Sequence, residues 1–266
     1  MRTDIAGWLS RLAGCVAVAC GLIAPALGAA EDTKAPILVY HRFGPEVTDS
    51  MMVRSVTFAA QLELLKENGY TVVPLRKVVA DLKGGGPRTS GRELAITVDD
   101  GHLSVYTEML PLVLRYRIPV TLFIYPSAIS NAIYALTWQQ LDELRKTGLF
   151  DIQSHTYWHP NFKKEKRKLA PEAYQDFVHT QLVKSRKALG QRLGVNADML
   201  AWPFGIYDDE LIAAAQAAGY VAAFTIDRRH PDAADHVLAL PRYMITDAVG
   251  MREFQRILGT HPIHRH

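Results

Sequence analysis

Three short stretches of this 266-residue chain carry side chains that packing alone would not choose. The first is Thr97-Val98-Asp99-Asp100-Gly101-His102. Adjacent carboxylates on an extended chain face opposite ways, so one can bind a cation while the other reaches a water, and Gly101 lets the backbone turn sharply beside them. An Asp-Asp-Gly turn that merely caps a helix has the same composition. The second stretch is Ser154-His155-Thr156-Tyr157-Trp158-His159-Pro160. Histidines four apart share one face of a helical turn, where both imidazoles can grip one metal ion. Taken alone, such a pair is as compatible with surface or core histidines. With Asp100 it makes a set of two nitrogens and one oxygen with open positions for water and substrate, which suits catalytic zinc and also occurs in non-haem iron oxygenases. The third stretch is Leu200-Ala201-Trp202-Pro203-Phe204-Gly205. Trp202, Pro203 and Phe204 could wall a flat ligand such as a sugar ring while a backbone N–H meets an oxyanion; a packed strand end followed by a turn would look alike.

These stretches matter only if the fold brings them together. Apolar runs at 37–40, 71–74, 94–98, 119–125, 150–153, 199–202, 222–226 and 238–244 are continuous rather than alternating, as strands buried on both faces should be. Between them lie helix signals. Ser55 or Thr57 can cap a helix carrying Phe58, Leu62 and Leu65 up to Gly69, and Thr137 opens one with Leu141 and Leu144 before Gly148. Pro171 suits the first turn of a long helix reaching Leu193, and Asp208 the start of one ending near Gly219. The alternation predicts an α/β chain, a single distorted (β/α) barrel of seven or eight units with parallel strands. In such folds reactive groups gather at the carboxyl ends of strands, where all three stretches fall.

Composition narrows the setting. Residues 1–30 read as a signal peptide: Arg2 and Arg11, an uncharged run from Leu12 to Leu27, then Gly28-Ala29-Ala30. The run is short for a membrane span and contains Pro25, so the chain is expected to be exported, periplasmic or secreted, without a stable span after cleavage. Leu12-Ala13-Gly14-Cys15 resembles a lipoprotein box that would tether the chain through Cys15, but Arg11 stands where apolar residues should precede it. Both cysteines, Cys15 and Cys20, lie in this leader, which excludes a disulfide framework and a thiolate nucleophile from residues 31–266. That portion holds 28 basic side chains against 26 acidic ones, giving no concentrated basic face for nucleic acid.

The three motifs in this order resemble the polysaccharide deacetylase family, carbohydrate esterase family 4, whose shared unit is the NodB-homology domain; the resemblance runs over nearly all of 31–266, from Leu38-Val39-Tyr40-His41 to Leu240-Pro241-Arg242. It implies a metal-dependent hydrolase that removes N-acetyl groups from an extracytoplasmic amino-sugar polymer. Asp100, His155 and His159 would hold one divalent metal, commonly zinc, with cobalt or nickel as alternatives. Asp99 would be the general base and the N–H of Phe204 an oxyanion donor, with His41 lining the pocket. The Leu-Val-Tyr-His start and the Trp-Pro-Phe-Gly form are most similar to exported deacetylases of β-1,6-linked poly-N-acetylglucosamine; peptidoglycan and chitin-like oligomers are the other substrates the family suggests.

Two departures carry weight. Ala201 stands where the family has an arginine that orients the base, and Arg242 is expected to take that role from a neighbouring strand. No clean Leu-x-His motif supplies the acid for the leaving amine; of His230, His236 and His261, His230 is the expected donor because it follows the seventh strand. These departures motivate one rival, a carbohydrate-binding module of the same fold with impaired catalysis. The ligand set motivates another, the iron oxygenase, which gives Asp99 no use.

Overall fold

The computed structural model describes residues 35–84 and 91–259. The expected leader at 1–30, most of the glycine-rich stretch after Lys83, and His261 lie outside the described residues. In chain order the elements are β1 (Ile37–Tyr40), β2 (Arg42–Gly44), β3 (Met52–Arg54), α1 (Ser55–Glu67), β4 (Thr71–Val72), α2 (Leu75–Leu82), β5 (Glu93–Asp100), α3 (Leu110–Tyr116) and β6 (Val120–Ile124). They continue with α4 (Trp138–Lys146), β7 (Phe150–Ser154), α5 (Phe162–Lys168), α6 (Pro171–Leu193), β8 (Met199–Ala201), α7 (Asp209–Ala217), β9 (Ala222–Phe224), β10 (Tyr243–Met244) and α8 (Gly250–Ile257).

Seven strands form a parallel sheet in the order β10-β1-β5-β6-β7-β8-β9, and β4 adds an eighth beside the start of β5. The segment expected as one strand at 238–244 is shared between two neighbours. Leu240 bridges Phe224 of β9, accepting from Thr225 N and donating to Ala223 O at 2.8 Å each, and the chain then runs on as β10 beside β1. That single seam closes the expected distorted barrel. β2 and β3 pair apart from it, a small sheet that the sequence pattern did not announce.

Strands β1, β5, β6, β7, β8 and β9 are buried on both faces, which explains their continuous apolar runs. Along β5, Ala95 joins an interior cluster with Ile37, Phe123, Met199, Ala201, Ala222, Phe224 and Leu240, while Leu94, Ile96 and Val98 join the outer cluster that α1, α3 and α4 cover. The two-residue period therefore turns Thr97 and Asp99 inward.

The helices begin and end largely as their residues require. Pro171 opens α6, where an amide would have no partner, and Gly194 ends it at φ 67°. Asp208 caps α7 by accepting from Leu211 N. α1 departs from expectation: it starts after Arg54 with no side-chain cap, because the Ser55 hydroxyl donates to Glu108 and that of Thr57 to Asp247, both at 2.7 Å. Tertiary partners have taken the capping groups. α4 keeps its local signal, since Thr137 accepts from Gln140 N at 3.1 Å and Gln140 Oε1 accepts from Thr137 N at 2.9 Å. Replacing Thr137→Ala should lower the unfolding free energy in urea by about 1 kcal/mol with an unchanged m-value.

Candidate active site

The ends of β1, β5, β6, β7 and β8 supply the site, with Arg242 entering just before β10. β5 delivers Asp99, 2% exposed, and Asp100, whose φ of 76° starts a sharp turn. Gly101 continues it at φ 78°, and a Cβ there would lie 2.8 Å from Ile124 Cδ1, so bulk as well as backbone reserves the position for glycine. β7 delivers His155, whose N–H donates to Ile124 O at 2.8 Å. The stretch to His159 is not the helical turn that the spacing suggests: Thr156 and His159 take φ of 64° and 61°. This irregular turn still brings the rings of His155 and His159 to 4.6 Å between centroids.

One ligand atom from each of Asp100, His155 and His159 lies within 4.8 Å of the others. His155 Nδ1 sits 2.8 Å from Ala201 O; as donor to that carbonyl it leaves the Nε2 lone pair for the cluster, where Asp100 Oδ1 is 3.5 Å away. His159 Nε2 lies 3.7 Å from the same oxygen. Burial lowers both imidazoles, His155 to about 3, so both are neutral and present lone pairs. Burial also raises the Asp100 carboxyl. Two neutral imidazoles and a carboxylate, converging with little water around them, fit a divalent cation.

Asp99 faces the barrel interior and meets Arg242, which is 0% exposed. The pairing is bidentate: Nη1 donates to Oδ1 at 2.8 Å and Nη2 to Oδ2 at 2.7 Å. Arg242 Nε donates to Thr225 O at 2.9 Å and Nη1 also to Thr97 Oγ1 at 3.1 Å, while Phe123 and Phe224 flank the guanidinium. Burial alone would raise the Asp99 carboxyl, but the charge of Arg242 and its hydrogen bonds outweigh it and hold the group at about 2.

The remaining expected residues divide. Trp202 is 1% exposed and donates its indole N–H to Leu238 O at 2.8 Å, and Pro203 is buried, so neither walls a ligand. Phe204 does face the cluster: 55% exposed at φ 58°, its ring stands edge-on to His159 at 4.6 Å. His41, directly after β1, is buried within electrostatic reach of both Asp99 and Asp100, and its Nδ1 has no hydrogen-bond partner among the described residues. His230 instead shares a 2.8 Å hydrogen bond with the Tyr243 hydroxyl, and His236 Nδ1 accepts from Leu238 N. One residue escaped sequence reasoning. Tyr125, the first after β6, sets its ring 6.4 Å from His155 and 5.4 Å from His159. Its signal was position alone: it follows the strand lying between those that carry Asp100 and His155.

The chain belongs to the polysaccharide deacetylase family, which it matches over residues 86–223, and is a deacetylase of that kind. That match contains Asp99, Asp100, His155, His159 and Phe204 but not His41, His230 or Arg242. A poly-β-1,6-N-acetyl-D-glucosamine N-deacetylase of Staphylococcus epidermidis is 26% identical, covering 77% of this chain and 71% of that protein. The Escherichia coli K12 protein of the same name is 24% identical over 83% of this chain, which spans only 38% of its length. Among solved structures, Streptococcus pyogenes deacetylase PplD in complex with acetate superposes with a TM-score of 0.75 at 22% identity, over 85% of this chain and 98% of that one. IcaB from Ammonifex degensii gives 0.74 at 22% identity, over 85% and 96%. The barrel is thus shared with these deacetylases.

The buried pair generates a stability prediction. Arg242→Met strands a carboxylate inside the barrel and should cost about 3 to 5 kcal/mol of unfolding free energy at pH 7 in EDTA, whereas adding Asp99→Leu should restore a large part of the loss. A double variant no more stable than Arg242→Met would mean that the guanidinium acts through packing rather than charge.

Proposed function

We propose that this chain is an exported N-deacetylase of poly-β-1,6-N-acetylglucosamine that depends on one divalent cation, with zinc best suited to its ligands. The observation that carries the reading is the juxtaposition of two kinds of carboxylate on one strand end: Asp100 turned toward two neutral imidazoles, and Asp99 turned inward onto a buried arginine. The names of the relatives support the polymer, and the leader-like residues 1–30 support export. Among the described residues no helix is long and apolar enough to cross a membrane.

Asp100, His155 and His159 would hold the cation, which when bound acidifies a water and polarises an acetamide carbonyl. That assistance is needed, because a carboxylate held at about 2 is a weak proton sink for water by itself. Asp99 stays ionised at any working pH, and the Arg242 fork fixes both of its oxygens, so it accepts the water's proton from a set direction. The N–H of Phe204 donates to the carbonyl oxygen as negative charge builds there. We assign proton delivery to the leaving amine to His41 rather than His230, since His41 lies within electrostatic reach of both carboxylates and, among the described residues, its Nδ1 has no hydrogen-bond partner. Collapse of the tetrahedral centre breaks the C–N bond and leaves acetate and a free amine. Arg242 and His41 answer the two departures that motivated an impaired binding module, and an oxygenase would leave the Asp99–Arg242 pair without a task.

Purified 31–266 should release acetate from poly-β-1,6-N-acetylglucosamine, lose this activity after chelation, and regain it with zinc, cobalt or nickel. Release from peptidoglycan or chitin oligomers alone would move the substrate within the family; silence on the whole panel from folded, metal-loaded protein would favour the binding module. Asp99→Asn should lower kcat by roughly 10²- to 10⁴-fold with full zinc content, and His155→Ala should lose zinc and activity together. Equal zinc loss in both variants would contradict the division between ligand and base.

A further inference from the structure

The mouth of the site contains two phenols that the fold itself does not use. Two buried tyrosines elsewhere, Tyr40 and Tyr220, spend their hydroxyls inside the protein: Tyr40 donates to Gln61, and Tyr220 to Ser154 and the Leu182 carbonyl. Tyr125 and Tyr134 differ. Their hydroxyls lie 2.9 Å apart at the protein surface and bond to each other. Such a pair has two O–H donors and consumes one of them internally, leaving one donor and several lone pairs directed to solvent beside the metal-ligand cluster.

The pair is also held in place before any ligand arrives. Tyr125 is fixed by β6, whose neighbours β5 and β7 carry Asp100 and His155. Tyr134 belongs to the 126–137 loop, which is fastened on both sides of the site. Leu103 N donates to Tyr134 O at 2.7 Å and Leu136 N to Gly101 O at 2.9 Å on the β5 side, and Ser127 N donates to Tyr157 O at 3.0 Å on the β7 side. The Tyr134 ring stacks on His102, with centroids 6.2 Å apart and planes 12° from parallel. Across the cluster, Phe204 bounds His159 from the other flank. The cleft therefore has an apolar wall on one side and an aromatic wall tipped with hydroxyls on the other. A pyranose has matching surfaces, C–H groups on its faces and O–H groups around its rim.

We infer that the Tyr125–Tyr134 pair is a pre-organised subsite for the hydroxyl groups of a pyranose unit in the polymer, and that it governs how tightly the chain holds substrate. The inference rests on the deacetylase reading above. Because the hydroxyls contact the sugar rim and not the acetamide carbon, their loss acts on ground-state and transition-state binding alike, raising KM and sparing kcat.

The test is steady-state acetate release by zinc-loaded 31–266 from a soluble β-1,6-linked N-acetylglucosamine hexamer. The proteins are wild type, Tyr125→Phe, Tyr134→Phe and, as a control far from the site, Tyr116→Phe, which removes a hydroxyl bound to Glu63. Each site variant should raise KM about three- to tenfold, the range expected for one lost hydrogen bond, with kcat changed less than the KM and zinc content equal to wild type; the control should match wild type. KM values within twofold of wild type in both site variants, or a fall in kcat as large as the rise in KM, would overturn the subsite. If wild type releases no acetate, the function reading fails separately, and calorimetric binding of the hexamer decides the subsite: weaker binding by Tyr134→Phe sustains it, equal or absent binding in both proteins rejects it.

Discussion

A guanidinium enclosed within a barrel is costly to desolvate, and a carboxylate beside it equally so; the pair is tolerable only where geometry is close to ideal and every remaining donor is used. Arg242 and Asp99 come close to those terms, with four of the five guanidinium N–H donors partnered. Two parallel N–H···O contacts join them, Thr97 and the Thr225 carbonyl take further donors, and the rings of Phe123 and Phe224 cover the guanidinium. Much of the architecture can be understood as the condition for this contact. β5 must end with Asp99 pointing inward, and the chain beyond β9 must cross the seam at Leu240 before Arg242 can enter from the closing side. A seam left open would separate Asp99 from Arg242.

The same contact makes sense of Ala201. That residue shares the interior cluster with Phe123 and Phe224 and is the register partner of Phe224. An arginine there would enter the interior already occupied by Arg242. The interior holds one guanidinium against Asp99, and in this chain it comes from the seam instead of from β8. Ala201 nonetheless keeps a part in the site through its carbonyl, which fixes the His155 ring. Backbone thus performs at this position a task for which side-chain identity gives no signal.

How much of this could be read in the chain depended on the range of the interaction. Strands buried on both faces announce themselves through continuous apolar runs, and local caps such as Thr137 and Asp208 need only neighbours within four residues. Asp100, His155 and His159 stood out only in combination, since each stretch alone also has a structural reading, and the structure brings the three together. Tertiary competition defeated the rest. Ser55 and Thr57 found distant acids in place of a helix end, and Trp202 is drawn into the core by the Leu238 carbonyl, 36 residues away. His230 and His41 cannot be ranked from sequence position, since what separates them is which strand end each faces after the barrel closes. Tyr125 read as the last residue of an apolar strand, and only the two histidines beside it give it another meaning.

Backbone strain offers an independent view of where function sits. Six non-glycine residues among those described have positive φ, and four of them, Asp100, Thr156, His159 and Phe204, are site residues or lie between the two histidines. Each such conformation costs of order 1 kcal/mol or more for a residue with a side chain. Glycine would relieve it, yet at three of the four positions the side chain belongs to the Asp100–His155–His159 cluster or packs against it. Phe204 is the clearest case, because more than half of the residue's surface is also exposed to water. Neither the backbone nor the hydrophobic effect favours phenylalanine there in the free protein. Its ring stands edge-on to His159, and its amide is the oxyanion donor of the proposed reaction. The surrounding parallel barrel, closed and packed on both faces, is what allows the chain to hold that many unfavourable conformations at one end.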